Sequence, residues 1–211
     1  MTIKFDDLVT EVARKVKENM QQTFEIEASG RHVHLSQEHI DALFGEGYKL
    51  SAEKYLSQPG QFAARERVAI VGPKGVLHNA VILGPARKDS QVEVSFTDAL
   101  TLGAKIPLRL SGNIAGTPGI MLMNGSKSVQ LDKGLIVAQR HIHVNSRDAE
   151  KLNVTDQEVV KVKVMSERPL IFDDVVVRIS PKFETFMHID YDEANACGFK
   201  KGTRGRIIKE E

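Results

Sequence analysis

The chain repeats one short histidine-containing pattern, and this repetition constrains the fold more than any other feature of the sequence. The segment Arg31 to His34 reads Arg-His-Val-His, and Arg140 to His143 reads Arg-His-Ile-His. In a β-strand, residues i and i+2 project from one face, so each pair of histidines can present two imidazoles to a single metal ion. Apolar residues alternate with the histidines, as is typical of half-buried strands. The sequence therefore predicts two related strands that each carry two metal ligands.

The duplication continues beyond these strands and supplies a third ligand to each half. Residues 91–99 align with residues 186–194, and this alignment places Glu93 opposite His188. The predicted metal ligands are His32, His34 and Glu93 in the first half, and His141, His143 and His188 in the second. Three protein ligands leave one coordination position open, which is typical of catalytic rather than structural zinc sites. A set rich in histidine favours zinc over magnesium or calcium.

Composition narrows the class of protein without identifying it. Of the 211 residues, 41% are apolar and 27% are charged, which is ordinary for a soluble globular chain. A net charge of +1 gives no reason to expect nucleic acid or an acidic membrane as a partner. The single cysteine, Cys197, excludes a disulfide framework within the chain and cysteine-rich zinc sites. Because neither a membrane-spanning run nor a signal-peptide core is recognised, we expect a cytoplasmic protein.

Short segments rich in Val, Ile and Leu, separated by Gly and Pro, fill the sequence from Thr23 onward. The predicted strands are 24–28, 31–35, 67–71, 76–83, 91–96, 106–110, 134–138, 140–144, 158–165, 170–179, 186–191 and 205–208. Short strands in two repeating halves predict a mainly β fold, with two small β-barrels that arise from the duplication and are capped by short α-helices. The first half carries extra residues, which we assign to an insertion over 47–62.

The N-terminal segment follows a different pattern. Apolar residues recur mostly every four positions among charged side chains, which indicates an amphipathic helix with a narrow apolar stripe. These apolar residues are Phe5, Leu8, Val12, Val16 and Met20. We therefore predict an N-terminal amphipathic helix over 1–22, a first barrel half over 23–134 and a second over 135–211.

Two alternatives use the same histidines. In a cupin-like enzyme, a single metal would be bound by His32 and His34 together with Glu38 and His78. That pattern lacks the expected leading glycines and leaves the second Arg-His-Ile-His without a purpose. In the other alternative, metal only clamps the two halves of a non-catalytic binding protein, so that it stabilises the fold without turnover.

Ordered motifs along the chain resemble those of the PduL-type phosphotransacylases, the phosphate propanoyltransferases. They are Arg31 to Ser36, Gln58 to Phe62, Val71 to Gly75, Leu83 to Arg87, Gln91 to Glu93, Ser111 to Asn113, Gly116 to Gly119, Ala138 to His143 and Met187 to Asp190. The resemblance implies the interconversion of acyl-CoA plus phosphate with acyl phosphate plus CoA. It also implies two barrels with a dinuclear zinc centre, two zinc ions per chain, whose ligand pattern falls on the six residues named above. In that family the N-terminal strand, here 23–30, is shared with the second barrel.

The resemblance assigns further residues to the substrates. Arg87 matches the family's arginine and is the expected catalytic group, because a planar guanidinium can hold two phosphate oxygens. Ser111, Gln58, Gly60 and Gln61 are expected to contact phosphate or CoA. Direct attack of phosphate on the thioester is the working hypothesis.

Family members inside bacterial microcompartments carry a short amphipathic extension that directs encapsulation, and residues 1–20 look like one. The competing reading is a helix that packs on its own barrel or on a second subunit. The resemblance thus implies a homo-oligomer in a microcompartment, where residues 1–20 contact the shell or enzyme core during propanediol degradation.

Overall fold

The computed structural model describes residues 9–13 and 22–209. The strands are β1 (Thr23–Ser29), β2 (His32–His34), β3 (Ala52–Tyr55), β4 (Phe62–Val71), β5 (Val76–Gly84), β6 (Gln91–Val94), β7 (Leu108–Arg109), β8 (Ile120–Asn124), β9 (Lys127–Leu131), β10 (Leu135–Ala138), β11 (His141–Asn145), β12 (Val159–Met165), β13 (Ile171–Ser180), β14 (Phe186–Asp190) and β15 (Arg204–Ile208). The short helices are α1 (Gln37–Phe44), α2 (Phe96–Leu102), α3 (Ala149–Leu152) and α4 (Tyr191–Ala196). The predicted mainly β fold with short helices is confirmed.

Six strands close into a barrel in the order β1, β14, β11, β13, β12 and β15. The strand β1 pairs antiparallel with β15, where Phe24 lies opposite Gly205. Along β12, Val160, Val162 and Val164 are buried while the residues between them are more exposed. This alternation places one face of each strand inside the barrel, as a period of two requires.

The other sheet has nine strands and does not close. Its order is β7, β10, β6, β2, β5, β4, β8 and β9, and β3 pairs with β4. The strand β2 lies inside this sheet, parallel to β5 and antiparallel to β6. Its central residue Val33 is fully buried with Leu35 and Ile82 in the apolar core. The two histidines of β2 are therefore held on a strand with neighbours on both sides.

The duplication is also visible in the backbone, because both halves have an irregular residue at the same aligned position. Asn79 in β5 and Asp174 in β13 both have positive φ angles, 58° and 54°. They align in the repeat, and each lies where the pairing of its hairpin changes register. A β-bulge of this kind is a built feature that bends a strand. The hairpins β4–β5 and β12–β13 thus share the same β-bulge, as expected of two copies of one unit.

The chain divides into two compact units that are not contiguous in sequence. One contains the described chain up to Glu27, Ile142–Met187 and the chain from Cys197, and the other contains Ala28–His141 with His188–Ala196. Among the described residues, no helix has the length and apolar character needed to cross a membrane.

The predicted N-terminal helix lies mostly outside the described residues. Residues 9–13 are helical and exposed, whereas residues 1–8 and 14–21 are not among those described. The helix over 1–22 therefore stays a prediction.

Candidate functional site

The first predicted triad is assembled by direct strand pairing. In the register of β2 with β6, His32 lies opposite Glu93. The Nε2 atom of His32 is 3.4 Å from Oε2 of Glu93, and Nε2 of His34 is 3.6 Å from Oε1. All three side chains are buried. Two imidazoles and one carboxylate therefore converge on a single point.

The hydrogen bonds made by Nδ1 of these two histidines determine that Nε2 faces the carboxylate. The Nδ1 atom of His32 lies 2.8 Å from the carbonyl oxygen of Gly30, and Nδ1 of His34 lies 3.3 Å from that of Leu83. Because a carbonyl oxygen only accepts, each Nδ1 must carry the hydrogen. In the neutral imidazole, Nε2 then carries a lone pair, and both lone pairs face Glu93. This is the arrangement of a metal-binding histidine whose other nitrogen is anchored to the backbone.

The charge states support a cation at this point. Burial lowers the pKa of His34 to about 4, so its ring is neutral at neutral pH. Burial alone would raise the pKa of Glu93, but a charge on His32 and the proximity of both imidazoles hold it well below its usual range. Burial also opposes charging of His32, yet the carboxylate raises the pKa of that ring. A buried carboxylate therefore faces a neutral His34, a contact that a bound cation would stabilise.

The spacing of the ligand atoms fits zinc. Ligand bonds of 2.0–2.1 Å in tetrahedral geometry place two ligand atoms about 3.3 Å apart. The nitrogen to oxygen distances of 3.4 and 3.6 Å match this spacing and exceed those of ordinary hydrogen bonds.

The second predicted triad is also assembled. The ligand atoms of His141, His143 and His188 lie within 4.8 Å of one another, as do those of the first triad. The Nδ1 atom of His141 lies 2.9 Å from the carbonyl oxygen of Gln139, two residues earlier, which repeats the anchor of His32. The ring of His141 also contacts that of His188, with centroids 5.2 Å apart. Each half of the repeat therefore offers a group of three candidate ligands.

The sequence assigned no role to the repeated arginines, and the structure shows that each forms an ion pair next to a histidine strand. Arg31 forms an ion pair with Asp98, and Arg140 forms one with Glu193 at the aligned position. Each acid belongs to the first turn of the helix that follows the strand with the third ligand. Asp98 also accepts a hydrogen bond from the backbone amide of Ser95, and Glu193 accepts one from the backbone amide of the aligned Asp190. The arginine therefore ties the start of each histidine strand to the strand and helix beside it.

Arg87 lies at an open cleft of about 320 Å³ next to the first triad. The cleft is lined by Pro59, Gly60, Gln61, Gly84, Pro85 and Arg87. The charge of Arg87 acts to lower the pKa of both His32 and His34, which places its guanidinium near the triad. The backbone amide of Arg87 donates to the carbonyl of Leu35, so its position is fixed relative to β2.

The other predicted substrate contacts fall in two places. Gly60 and Gln61 line the cleft, and Gly60 has a φ of 77°, which favours glycine in that turn. Gln58 is buried, and its carbonyl accepts from the amide of Gln61 to close the turn. Ser111 is placed against a candidate metal ligand, because its hydroxyl donates to Oε1 of Glu93 at 2.7 Å.

Gln91 is the residue of this site that the sequence prediction missed. Its side chain is buried and hydrogen bonds to both Glu93 and Ser111. The available signal was its spacing, because residue 91 shares a strand face with residue 93. From the sequence alone, a glutamine on that face cannot be distinguished from an ordinary structural residue.

The residues that a cupin-like site would need do not join the cluster. Glu38 and His78 are both exposed, and the carboxylate that approaches His32 and His34 is Glu93. His39 is half-buried and its Nδ1 lies 2.7 Å from the hydroxyl of Ser90. Cys197 is fully buried, which suits a packing role rather than a nucleophile.

Comparison with known proteins agrees with this geometry. The family model described as phosphate propanoyltransferase matches residues 25–200. A phosphate propanoyltransferase of Listeria monocytogenes is 62% identical over 96% of this chain and 94% of its own. The phosphate propanoyltransferase of Enterococcus faecalis is 60% identical over 97% of this chain and 97% of its own. That of Salmonella typhimurium is 48% identical over 91% of this chain and 92% of its own. The chain belongs to the phosphate propanoyltransferase family.

Proposed function

We propose that this acyltransferase interconverts acyl-CoA plus phosphate with acyl phosphate plus CoA at a dinuclear zinc centre, and that propanoyl-CoA or a similar short acyl-CoA is its substrate. The family assignment supports the reaction class. The observation that carries the metal assignment is the convergence of Nε2 of His32 and His34 on the buried carboxylate of Glu93. The group His141, His143 and His188 supports a second ion.

Phosphorolysis of a thioester requires a bound nucleophile and a stabilised developing charge. Phosphate is strongly hydrated at neutral pH, and the thioester carbonyl oxygen gains negative charge as it is attacked. When bound, zinc supplies Lewis-acid polarisation and a template for oxygen atoms. The protein residues contribute orientation and charge.

Arg87 is proposed to hold phosphate beside the first triad. Its guanidinium can donate two parallel hydrogen bonds to two phosphate oxygens, which leaves another oxygen oriented as the nucleophile. The turn from Gln58 to Gln61 lines the same cleft and is proposed to contact CoA. Phosphate and thioester would thus meet at one wall of the cleft.

The reaction then balances without a covalent acyl-enzyme. A phosphate oxygen bonds to the carbonyl carbon, the carbon–sulfur bond breaks, and the CoA sulfur leaves with the electron pair. The proton that hydrogen phosphate loses ends on this thiolate, which gives free CoA. In the reverse direction, CoA sulfur attacks acyl phosphate and phosphate leaves. Ser111 is the remaining polar contact proposed for this site, and its hydroxyl also holds Glu93.

Thiol release from propanoyl-CoA, followed with a thiol-reactive dye, tests the proposal. Release should depend on phosphate and should fall to background after chelation, with recovery on addition of zinc. Acetyl-CoA measured in parallel reports the acyl preference. Release that is absent in the zinc-loaded protein, or equal without phosphate, would contradict the proposal.

The segment 1–20 is proposed to direct a homo-oligomeric enzyme into a bacterial microcompartment by contacting the shell or enzyme core. The support is the amphipathic sequence pattern, and residues 9–13 are helical and exposed. Deletion of residues 1–20 should leave activity largely intact and abolish association with the shell. Loss of fold or activity would instead indicate that the segment packs on the enzyme.

A further inference from the structure

The buried side chain of Gln91 links three groups around the first triad. Its Nε2 donates to Oε1 of Glu93 and, at 3.0 Å, to the hydroxyl of Ser111. Its Oε1 accepts from the backbone amide of Gly112 at 2.8 Å. Gln91 is only 2% exposed, so these hydrogen bonds are made away from water. The side chain therefore connects β6 to the turn that contains Ser111 and Gly112.

The contact with Gly112 fixes the orientation of the amide. A backbone N–H can only donate, so the atom of Gln91 that faces Gly112 must be the carbonyl oxygen. The NH₂ group then points at the carboxylate and the serine. Rotating the amide by half a turn would set an oxygen against Glu93 and an N–H against an N–H.

Both donors act on the same carboxylate oxygen. The Gln91 amide and the Ser111 hydroxyl each donate to Oε1 of Glu93. Fixing Oε1 also fixes the rotation of the carboxylate, and hence the position of Oε2, which lies 3.4 Å from Nε2 of His32. The second half has Phe186 at the position that aligns with Gln91, and its third ligand is an imidazole rather than a carboxylate.

We propose that Gln91 is a positioning residue that holds Glu93 in the orientation that binds metal, so that only the first triad depends on it. This inference rests on the proposed zinc ion at that triad. Partners that orient metal ligands typically change metal affinity 10–100-fold when they are removed. A loss confined to one of the two sites is the distinctive expectation.

Zinc affinity, measured on the full chain by competition with a chromophoric chelator, tests this. Gln91→Leu is made in a His143→Ala background, where the first triad remains, and in a His34→Ala background, where the second remains. We expect first-site affinity to fall about 10–100-fold and second-site affinity to be unchanged. Excess zinc should restore full occupancy of the first site. The matched control is Gln130→Leu, at an exposed position of β9, which should change neither site.

Unchanged first-site affinity in Gln91→Leu would overturn the proposal, and so would equal weakening at both sites, because that indicates a general loss of structure. If Gln91→Leu does not fold, Ser111→Ala removes the other donor to Oε1, and its first-site affinity decides between the same outcomes. The absorption of the cobalt-substituted first site should also change in the variant. A wild-type chain that binds no zinc at either triad would instead contradict the proposed function itself.

Discussion

Arg31 and Asp98 form an ion pair, with Nη2 2.6 Å from Oδ1, and the aligned residues Arg140 and Glu193 form another at 2.8 Å. The repeated arginine is therefore part of the framework of each triad rather than an additional ligand. It joins the strand that carries two ligands to the helix that follows the third. This explains why an arginine precedes the two histidines in both copies of the repeat.

We predict that Asp98→Ala lowers the free energy of unfolding by about 1–3 kcal/mol. The substitution removes the partner of Arg31 and also the carboxylate that caps α2 by reciprocal hydrogen bonds with Ser95. Urea unfolding of the metal-free protein measures the change, and its slope should stay constant. The control is Asp89→Ala, whose ion pair with Lys133 is exposed and should cost less than about 1 kcal/mol. Equal effects of the two substitutions would count against the framework role.

The bulged positions of the two hairpins should respond alike to substitution. Asn79 and Asp174 adopt left-handed backbone conformations that β-branched residues rarely tolerate. Replacing either by valine should cost about 1–3 kcal/mol, whereas glycine should be nearly neutral. Thermal unfolding of the four variants checks this. A valine variant as stable as its glycine counterpart would show that the bulge is not strained.

Arg87 should be needed for phosphate rather than for fold. We predict that Arg87→Ala lowers kcat/KM for phosphate by at least about 100-fold, and that Arg87→Lys recovers only part, since lysine cannot donate in a planar fork. Steady-state kinetics with phosphate varied at saturating acyl-CoA measure this effect. The neighbouring exposed residue gives the control, because Lys88→Ala should leave the kinetics unchanged. An Arg87→Ala variant with normal phosphate kinetics would remove this residue from the mechanism.

Acid should destabilise the metal-free protein through His34. Its pKa in the folded protein is about 4, because burial disfavours its charge, whereas an unfolded histidine titrates near 6.5. As pH falls below about 6.5 the unfolded chain therefore takes up this proton first, so the stability that the neutral ring contributes is progressively lost toward pH 4. Denaturation between pH 7 and pH 5 should show a flatter dependence for His34→Gln than for the wild type. An unchanged slope would show that His34 is not buried as a neutral ring.

The sequence was sufficient to predict both groups of three candidate ligands because they are duplicated. Alignment of the halves pointed to Glu93 and His188, and the structure brings each to the predicted pair of histidines. Predicted strands that alternate clearly, such as 158–165, correspond closely to observed strands such as β12. Repetition thus compensates for the weak signal of any single histidine pair.

What escaped prediction depends on contacts distant in sequence or on polar strands. The strands β3 and β9 were missed because polar and exposed residues, such as those of Ala52–Tyr55, obscure the alternation. The strand β8 was missed because its nearly unbroken apolar run shows no alternation. The ion pair of Arg31 with Asp98 joins residues 67 positions apart, and no local pattern indicates it. Ser111 was predicted to contact substrate, but its hydrogen bond to Glu93 could only be recognised once the turn and β6 were placed together.

Zinc content tests the central claim most directly. The purified wild-type protein, loaded with zinc and freed of excess metal, should contain two equivalents per chain by elemental analysis. His34→Ala and His143→Ala should each retain one equivalent, and the double variant should retain none. A wild-type chain with no bound zinc, or single variants that keep both equivalents, would contradict the assignment of one metal to each triad.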